Sequence, residues 1–224
     1  MVFDFINRDE EVACDLATNF SWRFAMSIAP MPPVTLDEFL RSEAEAPEGV
    51  TLELIDGKLV ERPSMTTRGR LHAFVMSLLV YELVRWSQSF HQKPVEIGSG
   101  EARCRLTMEN DTIVGVDAGV WIGEQYASPS NDPPLYEGPP VVAAEILSPS
   151  DKNEYVDEKI AAYLAAGVHQ VWILDPMWRT VTVYRPDSKP AFYAEDDVLN
   201  AAPDLPGFSL PVSQFFSKYV KRPV

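Results

Sequence analysis

The sequence predicts a mixed α/β fold, in which a central mixed β-sheet is flanked by helices. The first observation is a short, nearly continuous apolar segment at 141–147, typical of a strand buried on both faces. An amphipathic helical pattern comes after this segment and a turn-forming Ser-Pro-Ser-Asp. Alternating, strand-like segments and a second long helical pattern precede it. The predicted order is helix, hairpin, long helix, strand pair, central strand, helix, strand and strand.

Residues 1–33 are predicted to be an N-terminal extension, and residues 34–224 a single domain. The apolar residues of the first segment have no firm period, and Pro30, Pro32 and Pro33 separate it from the rest of the chain. The 46% of apolar residues is enough to form a sizeable core in the remaining domain.

The domain is predicted to begin with a short helix and a β-hairpin. Thr35 and Glu38 have the spacing of a capping box at the helix start. Asp56-Gly57 lies between two alternating segments, as a type I′ hairpin turn requires. Glu53 lies on the first hairpin strand, and local pattern alone favours a solvent-facing side chain there.

A long amphipathic helix is predicted over residues 67–90. Near its start, Arg68, Arg70 and His72 form a small group of basic side chains. A single histidine there is more often a helix-terminus or core residue than a ligand, so contact with phosphate is the less common alternative. The predicted core stripe comprises Leu71, Phe74, Val75, Leu78, Leu79 and Trp86.

Two predicted strands each carry one carboxylate inside a largely apolar sequence. Asp117 lies in the strand at 112–122, and Glu145 lies in the segment at 141–147. A buried carboxylate costs several kcal/mol unless it is paired, hydrogen-bonded or bound to a metal. Two inward carboxylates on neighbouring strands are therefore a candidate site for a hard cation.

The helix predicted at 153–166 carries a lysine on its apolar side. Lys159 lies between Tyr155 and Tyr163 at i−4 and i+4, whereas the acidic residues fall on the opposite arc. A partly buried ion pair with Glu145 and a functional site explain this pattern equally well, because ion-pair networks also bury charges.

Charge and composition exclude some classes of protein. The formal net charge of −14 argues against broad, non-specific coating of nucleic acid, but not against a local site. The two cysteines lack metal-type spacing, which favours a reducing cytoplasm. We expect no membrane span and no signal peptide, because no segment has the required apolar length or flanking charge.

Several segments in this order resemble the Uma-two family of restriction-endonuclease-like proteins in the PD-(D/E)XK superfamily. They are ELIDGKLVE, the helix bearing His72, GVDAGVWI, AAEILSPS, DEKIAAYLAAGVHQVWILDP and LPGF. The resemblance covers the chain from about residue 34 to its end. It implies a restriction-endonuclease-like core and a Mg²⁺ (or Mn²⁺) nuclease site.

The resemblance implies roles for four residues. Asp117 and Glu145 match the metal-binding acidic positions, and Glu53 matches a glutamate that the superfamily often adds from an earlier element. Leu147 stands where the superfamily lysine is expected, and Lys159 resembles that lysine relocated to the next helix. His72, Arg68 and Arg70 are candidates for substrate contact.

Three functions remain open. The favoured one is a metal-dependent DNA endonuclease, in which the cation polarises the phosphate and activates water. We expect such an enzyme to be a homodimer, since nucleases that cut both strands usually present two sites. The second is a catalytically silent binding or regulatory module, and the third is an acid/base hydrolase, such as a glycosidase, using Asp117 and Glu145. The glycosidase gives Lys159 no role.

Overall fold

The computed structural model of the protein describes residues 32–63, 69–107, 111–127, 134–149 and 151–216. Apart from Pro32 and Pro33, the expected N-terminal extension lies outside these residues. The helices are α1 Leu36–Ala44, α2 Arg70–Ser87, α3 Asn153–Ala165 and α4 Ser213–Phe216. The strands are β1 Val50–Ile55, β2 Lys58–Pro63, β3 Val95–Thr107, β4 Thr112–Ile122, β5 Tyr136–Glu137, β6 Val142–Ile146, β7 Gln170–Asp175, β8 Thr180–Tyr184, β9 Ala191–Tyr193, β10 Val198–Asn200 and β11 Ser209–Pro211.

The predicted mixed α/β architecture is confirmed. The large sheet has nine strands in the order β2-β1-β4-β6-β7-β8-β9, with β3 paired to β4 and β5 paired to β3. The β6–β7 pair is parallel, as a strand–helix–strand unit requires, while the hairpins are antiparallel. None of the described helices is long and apolar enough to cross a membrane.

The first hairpin forms as its turn sequence predicts. Asp56 and Gly57 both have positive φ, 49° and 72°, which a type I′ turn requires. The capping box is also formed: Thr35 accepts a hydrogen bond from the Glu38 backbone N–H, and the Glu38 carboxylate reaches back to the Thr35 N–H.

Two layers of helix cover the sheet. On one face, α2 and the C-terminal elements pack against even-numbered residues of β6 and β7, such as Ala144 and Trp172. On the other face, α3 packs through Ile160 and Tyr163 against the odd-numbered residues of the same strands. Both faces of β6 and β7 are therefore buried, which explains their nearly continuous apolar sequences.

Several boundaries differ from prediction. The long helix occupies 70–87 rather than 67–90. The alternating pattern at 101–107 predicts a strand there, but β3 begins six residues earlier, at Val95. A register shift between Ser99 and Ala102 interrupts the β3–β4 ladder, and Gly100 and Glu101 there have positive φ. This irregularity breaks the alternation on which the predicted strand start depends.

The sheet divides along one edge of β4. Because β3 pairs with β4 from Thr112 to Ile122, both β1 and β6 lie on the opposite edge. There β1 pairs only at Ile113, and β6 pairs only at residues 118–120. Among the described strands, residues 114–117 have no partner on this edge. This gap between β1 and β6 is a fork in the sheet, and the candidate site residues lie beside it.

Candidate functional site

The two strand carboxylates lie on neighbouring strands at the fork. The antiparallel ladder between β4 and β6 ends at the pair Ala118↔Ala144. Asp117 and Glu145 are the next residues on either strand, immediately beyond the last ladder pair. The end of the ladder thus brings two buried carboxylates into one region, with exposed fractions of 3% and 9%.

Asp117 is held by a backbone and a side-chain contact. The Ile146 N–H donates to Asp117 Oδ2 over 2.8 Å, and His72 Nε2 lies 3.1 Å from the same oxygen. Burial alone would raise the pKa of Asp117. The hydrogen bond and charge of His72, with the Ile146 N–H, outweigh burial and hold that pKa below its usual value. Asp117 is therefore an ionised carboxylate at neutral pH.

Glu145 lies on the α3 side of β6, where two groups contact one of its oxygens. The Tyr163 hydroxyl donates to Oε1 over 2.6 Å, and Lys159 Nζ lies 2.9 Å from Oε1. Burial raises the pKa of Glu145 to about 7, although Lys159 opposes this shift. The negative charge of Asp117 contributes to the increase.

Lys159 connects Glu145 to Glu53. Its Nζ lies 3.9 Å from Glu53 Oε1, and only 15% of the lysine side chain is exposed. Burial alone would lower the pKa of Lys159, but Glu145, Glu53 and Asp117 together raise it. One partly buried cation therefore interacts with three carboxylates, and the structure brings together all four residues proposed as catalytic.

The local expectation that Glu53 faces solvent is wrong, because the residue is only 5% exposed. Its second oxygen, Oε2, accepts a hydrogen bond from Arg62 Nε over 3.0 Å. Arg62 lies on β2, pairs with Glu158 and stacks 4.3 Å from the centre of the Tyr155 ring. Two cations from other elements thus compensate the buried carboxylate.

Sequence reasoning missed two polar side chains of the site. The alternating pattern predicts the hairpin over residues 51–61, so Arg62 lies one residue beyond its predicted end. The structure places Arg62 opposite Thr51. The helical pattern predicts Tyr163 only as part of the apolar arc of α3, although it comes four residues after Lys159 and so shares its face. That spacing was the available signal for Tyr163.

The three candidate substrate contacts lie in different settings. His72 is buried against Asp117, with 2% of its side chain exposed, so the ring contacts a carboxylate rather than solvent. Arg70 is the exposed first residue of α2. Arg68 lies outside the described residues. Phosphate contact by these residues stays a prediction.

The donor chemistry fits a hard divalent cation. Within the described part of the chain, no group of three His, Cys, Asp or Glu side chains forms a complete metal-binding cluster. Mg²⁺ does not need one, because it usually takes one or two carboxylates and completes its shell with water and phosphate oxygens. The Tyr163 hydroxyl and Lys159 Nζ both contact the Oε1 atom of Glu145.

The raised pKa of Glu145 predicts a pH-dependent stability in the metal-free protein. Its folded-state pKa of about 7 exceeds the usual 4.5, so the folded protein keeps a proton that the unfolded chain has lost. The free energy of unfolding should therefore fall between about pH 5 and pH 8, by on the order of 3 kcal/mol.

Glu145→Gln should remove this loss, because the amide does not ionise. Denaturant unfolding in EDTA, run at several pH values for both proteins, measures the difference. Parallel pH profiles for the wild type and the variant would show that Glu145 ionises normally.

Comparison with known proteins shows the family of this chain and a similar solved structure. Residues 36–213 match the Uma2 family, whose description is putative restriction endonuclease. The chain belongs to the Uma2 family. A crystal structure of a putative nuclease of the DUF820 family from Anabaena variabilis is also similar, with a TM-score of 0.64 and 26% sequence identity. The match covers 82% of this chain and 98% of that one. No curated protein matches.

In this Uma2 protein the lysine that pairs with Glu145 lies on helix α3. It does not lie on β6, the strand that carries Glu145. Leu147, two residues after Glu145, packs in the apolar cluster beneath α3, and its N–H donates to Leu174 O. Lys159 reaches Glu145 from α3 instead, at 2.9 Å.

Proposed function

We propose that this Uma2 protein is a Mg²⁺- or Mn²⁺-dependent endonuclease that hydrolyses DNA phosphodiester bonds. The observation that carries the proposal is the group of three buried carboxylates, Asp117, Glu145 and Glu53, with the partly buried Lys159 at the fork of the sheet. Membership of a family described as putative restriction endonucleases and similarity to a putative nuclease support it.

Asp117 and Glu145 would hold the divalent cation. The bound cation would polarise the phosphate and lower the pKa of an attacking water. His72 and the Ile146 N–H keep Asp117 ionised and fixed, so that one ligand is ready before the cation arrives. Tyr163 holds Oε1 of Glu145 and so fixes the orientation of the second carboxylate.

Lys159 would orient the attacking water or stabilise the charge that grows on the phosphate. Its raised pKa keeps it cationic, which suits charge stabilisation better than removal of a proton. Glu53, held between Arg62 and Lys159, would act on a second cation or through water. In the reaction a P–O bond to water forms, a P–O ester bond breaks, and the leaving oxygen gains a proton.

A catalytically silent module is the second candidate. Lys159 already lies 2.9 Å from Glu145, and an ion pair alone accounts for its burial. The net charge of −14 also opposes nucleic acid binding outside a cation-filled site.

We include in the proposal a cytoplasmic location and a homodimer. Cys104 is a buried free thiol, which suits a reducing compartment. Cleavage of both DNA strands is simplest with two active centres.

Nicking of supercoiled plasmid DNA tests the proposal. The wild-type protein should convert it to the open-circular form in Mg²⁺ or Mn²⁺, but not in EDTA. Glu145→Gln, purified in the same way, controls for contaminating nuclease. Metal binding without any nicking would favour the silent module, and absence of both would contradict the proposed site.

A further inference from the structure

Arg62 lies at the edge of the candidate site, between a buried and an exposed carboxylate. Its Nε donates to Glu53 Oε2 over 3.0 Å, and its Nη2 pairs with Glu158. The exposed fraction of the Glu53 side chain is 6%, whereas that of Glu158 is 43%. Separating a buried carboxylate from its cation is costly, but an exposed ion pair contributes little to stability. Glu158 is therefore the partner that Arg62 can exchange at low cost.

The guanidinium of Arg62 has two contacts that do not involve Glu158. Its central carbon lies 4.3 Å from the centre of the Tyr155 ring, and its Nε is hydrogen-bonded to Glu53. Stacking on an aromatic ring and a hydrogen bond to a buried group together fix the plane of the guanidinium. A guanidinium held in one plane can donate two parallel hydrogen bonds to a phosphate. A phosphate can thus replace the Glu158 carboxylate while the other contacts of Arg62 stay in place.

Arg62 lies beside the lysine that is proposed to act on the scissile phosphate. Lys159 Nζ lies 3.9 Å from Glu53 Oε1, and Arg62 contacts the other oxygen of the same carboxylate. Successive phosphates of one DNA strand advance by about 3.4 Å along the helix axis. A strand whose scissile phosphate lies at Lys159 therefore brings a neighbouring phosphate close to Arg62.

We propose that Arg62 binds a backbone phosphate of the DNA substrate, and that this phosphate displaces Glu158 from the guanidinium. The inference rests on the proposed function for its ligand, and it adds to that function a substrate contact and an internal competitor. The chain has a formal net charge of −14, so few cations are available to an approaching nucleic acid. A carboxylate that occupies one of them until the phosphate arrives lowers the affinity of the wild type for DNA.

Binding of a short fluorescent DNA duplex, measured by anisotropy in Ca²⁺, tests the exchange, because Ca²⁺ takes the same class of oxygen ligands as Mg²⁺. Glu158→Gln should raise the affinity about two- to fivefold, the equivalent of one exposed ion pair. This variant leaves the contact between Arg62 and Glu53 intact. Asp157→Asn is the matched control, since Asp157 is the neighbouring exposed carboxylate on α3, and it should leave the affinity unchanged.

Arg62→Gln tests whether the gain depends on the arginine. The glutamine amide can still donate to Glu53 but carries no charge. This variant should weaken binding and lower the slope of log affinity against log salt by about 1, as loss of one phosphate contact does. Combined with Arg62→Gln, the Glu158→Gln substitution should give no gain, because the two residues act through one contact.

The outcomes separate this inference from the proposed cleavage. Exchange at Arg62 in a protein that binds the duplex but does not nick plasmid would support the contact and contradict cleavage. Equal affinity in the wild type, Glu158→Gln and Arg62→Gln would overturn the contact and leave the nuclease proposal standing. A gain from Glu158→Gln that persists without Arg62, or an equal gain from Asp157→Asn, would show a general charge effect and overturn it too. A wild type that binds no duplex would contradict both proposals.

Discussion

Replacing Lys159 with methionine should leave a folded protein that still binds Mg²⁺ or Mn²⁺ but cleaves DNA about 10²–10⁴-fold more slowly, the usual cost of losing a well-placed catalytic group. Methionine keeps much of the length of the lysine side chain and removes its charge. Without Lys159, Glu145 is left with the Tyr163 hydroxyl and a bound cation as partners.

The same substitution separates the functional and structural interpretations of Lys159. If Lys159 serves only as the ion-pair partner of Glu145, its loss should destabilise the protein by about 3–5 kcal/mol, even with saturating Mg²⁺. Lys152→Met is the matched control, because Lys152 lies at the start of the same helix, 5.3 Å from the Tyr155 ring. Thermal unfolding with and without Mg²⁺, combined with plasmid nicking, distinguishes the outcomes. Near-normal cleavage by Lys159→Met would exclude a catalytic role.

Asp117→Asn should weaken Mg²⁺ binding by more than about 100-fold and should abolish measurable cleavage. Loss of a group that only supports a metal ligand costs roughly 10–100-fold in affinity, and loss of the ligand itself should cost more. The asparagine side-chain oxygen can still accept the Ile146 N–H, so the fork between the strands should keep its shape. The variant removes the negative charge that the His72 contact stabilises. We therefore expect the variant to fold and to fail in metal binding.

Asp157→Asn provides the control for this prediction. Asp157 is an exposed carboxylate on α3, and its loss changes the net charge by the same amount. Calorimetric titration with Mg²⁺ and plasmid nicking should both match the wild type. Equal loss in the two variants would indicate a general charge effect rather than a metal ligand at Asp117.

Much of the fold could be predicted because local patterns and packing agree. The Asp56-Gly57 turn, the capping box at Thr35 and the largely apolar strand β6 each form as predicted. The division of the sheet could not be predicted, since it depends on how far two separate strands pair along β4. Pairing lengths between distant strands are set by tertiary contacts rather than by local sequence.

Site residues could be predicted from the sequence where a charged residue interrupts the apolar pattern of its own helix or strand. Asp117, Glu145 and Lys159 each place a charge within an apolar pattern, and such a charge requires compensation. The local pattern around Glu53 indicated an exposed side chain, because its strand alternates between apolar and polar residues. The groups that compensate its buried charge come from other elements, Arg62 on β2 and Lys159 on α3. Arg62 likewise has an ordinary local sequence, and only the folded structure places it against both Glu53 and Glu158.

The central claim is that Asp117 and Glu145 bind one divalent cation between them. Calorimetric titration of Mn²⁺ into the wild type, Asp117→Asn and Glu145→Gln tests this claim most directly. We predict a binding event in the wild type that each single substitution removes, while circular dichroism shows both variants to be folded. Unchanged Mn²⁺ binding in both folded variants would contradict the account and leave the buried carboxylates as a structural ion-pair network.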